Sequence, residues 1–193
     1  MKERDTSAFH WQELFQKEFS KESDRAAVIL AAAMLEQALE SLLRARLVAI
    51  ASDSDPLFDG PYAPVSTFSA KIDLAFRIGL LSSRVARDLH LVRKIRNSFA
   101  HNVTGCNFDD AIVRNRATEL IRSQGVVEGA PDIRSEFDPG FKGDFQMTVA
   151  WMIFSLWYEI DTVQEIPQAE YLPFSLPQTG EPPREAPESK KGS

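Results

Sequence analysis

Arg96, Asn97 and His101 are the residues of this 193-residue chain whose types and spacing could do chemistry. An imidazole moves a proton near neutral pH, and a guanidinium stabilises the negative charge of a phosphorane. Five positions along a regular helix rotate by about 500°, so Arg96 and His101 point roughly 140° apart. A composite site therefore needs the helix to end near Ala100, or the two groups to come from opposing subunits. Asn97 and His101 lie one turn apart and share a face with His90 and Lys94. The structural alternative is that His101 and the basic residues complement the C-terminal dipole of their helix.

The element that must position these groups is the segment 83–102. Read as a helix, it aligns Val85, Leu89, Val92, Arg96 and Phe99, with Ile95 beside them. Arg96 then falls on the face expected to be buried, where a guanidinium needs a partner to offset its desolvation. Glu36 and Glu40 are the candidate partners. Two readings stand: a buried ion pair that fixes helix register, or an arginine lining a pocket or subunit cleft where it meets an anion. The candidate binding or structural cluster is Glu36, Glu40, Arg93, Arg96, Asn97 and His101.

Glycine and proline divide the chain. Neither occurs between Met1 and Asp55, Leu80 and Thr104, Cys106 and Gln124, or Asp144 and Ile166. The pattern predicts helices over about 6–19 (Phe9, Leu14, Phe15 and Phe19 inward) and 24–51 (Val28, Ala31, Leu35, Leu39, Leu42 and Ala49 inward). Further helices are expected at about 67–78 (Phe68, Ile72, Ala75 and Phe76 inward), from Ser82 or Ser83 to about 100, at 108–123 and at 144–165. The last is apolar nearly all round, which marks a central or subunit-shared helix. Residues 125–143 read as an irregular surface loop or short hairpin. Six of the 11 prolines fall in the last 27 residues. The expectation is an all-α, compact single-domain bundle of about six helices over 1–166, with a disordered proline-rich tail over 167–193.

Composition narrows the function classes. Twenty-eight acids against 22 bases give a net charge of −6, a poor start for unaided DNA binding. One basic segment interrupts this balance: residues 84–101 carry five bases against Asp88. Ala75, Gly79 and Val85 loosely match a helix-turn-helix, with Arg84, Arg87 and Lys94 as nucleic-acid candidates. However, Asp88 occupies a position such motifs keep apolar, and the second helix is too long. A single cysteine fits a reducing cytoplasm, the N-terminus has no signal core, and no apolar run suggests a membrane span. The Asp53, Asp55, Asp59, Gly60 spacing fails as a calcium loop, with Leu57 and Pro64 where oxygen ligands belong. No metal, cofactor or conventional catalytic residue is expected.

Two resemblances add to this reading. Arg96-Asn97-x-x-x-His101 resembles the signature of HEPN-type helical domains, in which an Arg and a His on a dimer cleft cut RNA. If that applied, Arg96, Asn97 and His101 would be the catalytic set. More extensively, DRAAVILAAAMLEQALESLL, LFDGPYAPVSTFSAKIDLAFRIGLLS and DLHLVRKIRNSFAHN resemble the mannitol operon repressor (MtlR-like) family over about residues 20–125. The resemblance implies an all-helical transcriptional regulator without a standard DNA-binding module. Such a protein would act through a partner, possibly a DNA-binding regulator, in accord with the acidic balance. The apolar last helix, with Trp151, Phe154 and Trp157, adds the expectation of a homodimer. The alternative is a HEPN-type ribonuclease or its inactive descendant.

Overall fold

The computed structural model describes residues 22–101 and 105–169. The helix expected over 6–19 and the tail beyond residue 169 lie outside the described residues. The described part is all-α: α1 (Asp24–Arg46), α2 (Phe68–Arg77), α3 (Ser83–His101), α4 (Ala111–Gln124), α5 (Val126–Gly129), α6 (Pro131–Arg134) and α7 (Phe141–Ile160). Short polar side chains start α1 to α4 by taking up otherwise orphaned N–H groups, whereas α7 starts behind Gly140 with no side-chain cap. Ser23 accepts from Ala26, Thr67 from Ala70 and Ser82 from Val85, each at 3.2 Å, and Asp110 accepts from Ile112 and Val113. Gly125 ends α4 with φ +66°, a left-handed conformation that glycine adopts without a Cβ penalty.

Helices α1 and α7 form the centre and run parallel. Lys142 donates to the Glu22 carbonyl where the two begin, and Arg46 donates to the Gln164 carbonyl at 2.5 Å where they finish. Helices α2 and α3 pack against α1, and α4 packs against α3 and α7, joined in one core by Leu35, Leu39, Ile72, Leu89, Ile95, Leu120 and Phe145. Phe108 ties the ends together, its ring 5.8 Å from Phe99 and Phe141 and 5.1 Å from Phe145. Helix α1 is long and apolar enough to cross a membrane, but half of its apolar stretch is buried among the other helices, as in the core helix of a bundle.

Several boundaries differ from expectation for identifiable reasons. Helix α1 stops at Arg46 rather than about 51, because the chain after α7 competes for its end. The Ile166 N–H bonds the Arg46 carbonyl at 2.7 Å, and the Glu165 carboxylate accepts from the Ala49 N–H at 3.1 Å. Ala49 is thus exposed, outside the inward stripe. Helix α4 waits for its Asp110 cap, and α7 starts three residues early, behind Gly140. Residues 125–143 form two single-turn helices and no hairpin. Arg134 organises them, bonding Asp144 at 2.5 Å and the carbonyls of Phe137 and Gly140.

Candidate functional site

The buried face of α3 consists of Ala86, Asp88, Leu89, Leu91, Val92, Ile95 and Phe99. It is centred nearer Ile95 than the expected line through Arg96. That rotation turns Asp88 inward and moves Arg96 to a half-buried flank, where its side chain meets no acceptor among the described residues.

Glu36 and Glu40 therefore do not hold Arg96. Both bind Lys71 of α2, at 2.9 Å each. Lys71 is only 5% exposed because the inward face of α2 is Phe68, Lys71, Ile72 and Ala75. Phe76, expected inward, is 44% exposed. A row spaced i, i+3, i+4, i+7 that contains a lysine was the available signal, and an apolar-only reading rotates the helix past it. Burial alone would push the Lys71 ammonium down, but hydrogen bonds and charge from Glu36 and Glu40 outweigh it and hold the pKa above the ordinary value. Burial likewise opposes ionisation of Glu40, yet Lys71 and Arg44 hold its carboxyl below the usual range. Arg44 continues this network, bonding Glu40 at 2.8 Å and Asp59 at 3.0 Å, with its guanidinium 4.4 Å from the centre of the Phe58 ring. Two of the carboxylates that faintly suggest a calcium loop, Asp55 and Asp59, thus bind an arginine, at 3.5 and 3.0 Å.

Asp88, the residue that spoiled the helix-turn-helix pattern, is fully buried and joins α3 to α4. Its carboxylate accepts from Ser123 Oγ at 2.5 Å, Gln124 Nε2 at 2.7 Å and Arg87 at 2.9 and 3.1 Å. Arg84 also donates to Ser123, at 3.2 Å. Two of the three nucleic-acid candidates are therefore engaged in holding α4.

The remaining polar residues lie along the outer side and one flank of α3. His90 meets Asp73 at 3.2 Å, while His90 Nδ1 and Arg93 Nε are buried without a partner among the described residues. Lys94 is exposed, and Arg116 of α4 reaches across to Ser98 Oγ at 2.9 Å. Asn97 is half-buried and His101 is exposed as the last helical residue. Since α3 remains helical through both Arg96 and His101, they diverge within one chain and form no composite site there. What α3 and α4 share is charge: eight bases against Asp88 and Glu119, on a chain of net charge −6. With Asp88 sealed from solvent, the charge these two helices carry outward is predominantly positive. A cavity of about 200 Å³ lies apart from it at the C-terminal end of α1, lined by residues that include Arg44, Leu47, Ile50 and Asp55.

No protein-family model and no curated protein matches the chain. Among solved structures, the fold is similar to a chain of the X-ray structure of the MtlR-HPr complex from Escherichia coli. The TM-score is 0.54 at 16% identity, covering 78% of this chain and 98% of that one. The described residues thus have an MtlR-like fold, and about a fifth of this chain lies outside the likeness.

Proposed function

We propose that this chain is a non-enzymatic cytoplasmic regulator of the MtlR type, a repressor of a mannitol operon that works by docking a protein partner on α3. The observation that carries the proposal is the unspent charge of Arg93, Lys94 and Arg96. The buried charges Lys71 and Asp88 are paired, whereas these three side chains meet no acceptor among the described residues. An acidic chain that leaves such cations open on one helix presents a surface for carboxylates, and electrostatic complementarity favours a specific partner. A long nucleic acid suits it less, since a polyanion leaving this face meets the acidic remainder of the protein. The similar fold was solved with a protein, HPr, so HPr of the organism that encodes this chain is the first partner to test.

Calorimetric titration of the full chain with HPr, and with acidic proteins captured from the same cells, tests the proposal. Binding should weaken with salt and fall at least about tenfold in Arg96→Glu and Lys94→Glu. Binding indifferent to both substitutions would count against the α3 face. RNA cleavage that disappears in Arg96→Ala and His101→Ala would replace the proposal with the ribonuclease reading.

A further inference from the structure

Helix α7 is the most apolar element, yet one row of it is open. Trp151, Phe154 and Tyr158 are 44%, 39% and 61% exposed. Their rings form a continuous ridge, with centroids 5.7 Å and 6.4 Å apart in turn. None of residues 145–158 carries a charge. Apolar side chains exposed singly need no account, but three adjoining aromatics on an uncharged stretch form one patch, and such a patch marks an interaction site.

We infer that this ridge is the contact between two copies of the chain, with a two-fold axis between Phe154 and Ser155 that sets the two α7 helices antiparallel. The first argument is spacing, because a two-fold contact needs a surface that complements itself. Positions 151, 154, 155 and 158 are symmetric about that axis. Phe154 meets Phe154 of the partner subunit, and Trp151 meets Tyr158 of the partner subunit. Ser155 is the small residue beside the axis. Its hydroxyl already donates to the Trp151 carbonyl at 2.9 Å, so close approach of the two backbones there strands no donor. The second argument is charge. Glu159 and Asp161 lie exposed just past one end of the ridge. Antiparallel pairing about this axis holds each about 13 Å or more from its own copy, beyond the Debye length of about 8 Å at physiological salt. Parallel pairing would set acid against acid. The third argument is area. At about 150–250 Å² for each aromatic side chain, the three exposures leave roughly 200–350 Å² of apolar surface open on each copy. A standard interface takes about 800 Å² from each partner, with aromatics concentrated at its centre. The ridge supplies that centre, flanked by half-buried Ala150 and Trp157, and its modest size fits a dimer that dissociates at about micromolar concentration.

Sedimentation velocity on the full chain, from about 1 to 200 µM, tests the contact, and the mass should rise with concentration from one chain towards two. Phe154→Lys sets like charges against each other at the axis and should weaken association at least about tenfold. Tyr158→Glu should do the same at the most exposed of the three positions, and it decides the matter if circular dichroism shows that Phe154→Lys does not fold. Trp151→Lys should also dissociate the dimer, whereas Trp151→Lys combined with Tyr158→Glu should recover association, because the antiparallel register sets each lysine against the other copy's glutamate. Arg96→Glu should leave association unchanged, which separates this contact from the α3 face. A chain that stays monomeric at the highest concentration overturns the inference and leaves the ridge to a different protein. A dimer that persists in both Phe154→Lys and Tyr158→Glu overturns it too, as does one lost in Arg96→Glu alone. A combined variant that associates less than either single one overturns the antiparallel register.

Discussion

Replacing Asp88 by alanine removes the one carboxylate that the core of α3 contains. Ser123 and Gln124, both half-buried, lose a charged acceptor. Hydrogen bonds to a charged group contribute about 1.5–3 kcal/mol each, and the lower end applies here because water reaches both donors. Arg87 is half exposed and returns to solvent, so its share is less than about 1 kcal/mol. The expected loss is about 3–4 kcal/mol, or about 10 °C in Tm for a chain of this size. Urea unfolding followed by far-ultraviolet circular dichroism reads the change directly, and the unfolding slope should stay constant. Arg87→Ala should cost less than about 1 kcal/mol, and a double-mutant cycle of Asp88→Ala with Ser123→Ala should show coupling of about 1–2 kcal/mol. A loss below about 1 kcal/mol for Asp88→Ala, or an equal loss for Arg87→Ala, would refute the reasoning.

Other expectations follow from the same packing. Lys71→Ala leaves two carboxylates facing each other and should destabilise by about 2–4 kcal/mol in the same assay, discounted for the partial exposure of Glu36 and Glu40. The pH profile should show the network at both ends. The raised Lys71 pKa contributes stability present below about pH 10.4 and lost as pH rises through the folded value, whereas the lowered Glu40 pKa contributes stability present above about pH 4.3 and lost as pH falls through its own. Arg96→Ala should change stability by less than about 1 kcal/mol, since no partner is left unpaired; a loss of about 3 kcal/mol would restore the buried ion pair. Gly143→Ala should cost about 2–4 kcal/mol by thermal melting, because a Cβ there would stand 1.9 Å from the Asp138 carbonyl oxygen and force the backbone apart.

The helical segments were legible because glycine, proline and short polar caps interrupt an otherwise helix-forming chain. Ser23, Thr67, Ser82 and Asp110 do locally what their side chains dictate. The failures share one cause. An apolar-only pattern turns a polar residue at the centre of a buried face into an apparent rotation of the helix. Lys71 and Asp88 are both such residues, and without them the pattern gives Glu36 and Glu40 the wrong cation and places Arg96 too deep. Apart from Arg87, their partners lie between 31 (Glu40 to Lys71) and 36 (Asp88 to Gln124) residues away in sequence, and only the assembled bundle brings them together. The basic character of residues 84–101 was plain from composition, but which of its cations remain available depended on Ser123 and Gln124.

The parallel pairing of α1 with α7 also bears on how the protein is made. Contacts at the two ends of the pair join residues 120 and 118 apart in sequence, so α1 leaves the ribosome well before α7 can pair with it. Until about residue 165 has emerged, the apolar stripe of α1 has only α2 and α3 to cover it. Pairing across such a separation closes a large loop late and raises the contact order for a helical protein. Val28, Leu35 and Leu39 therefore stay incompletely covered until α7 has emerged, the kind of transient apolar exposure that makes a nascent chain prone to aggregation.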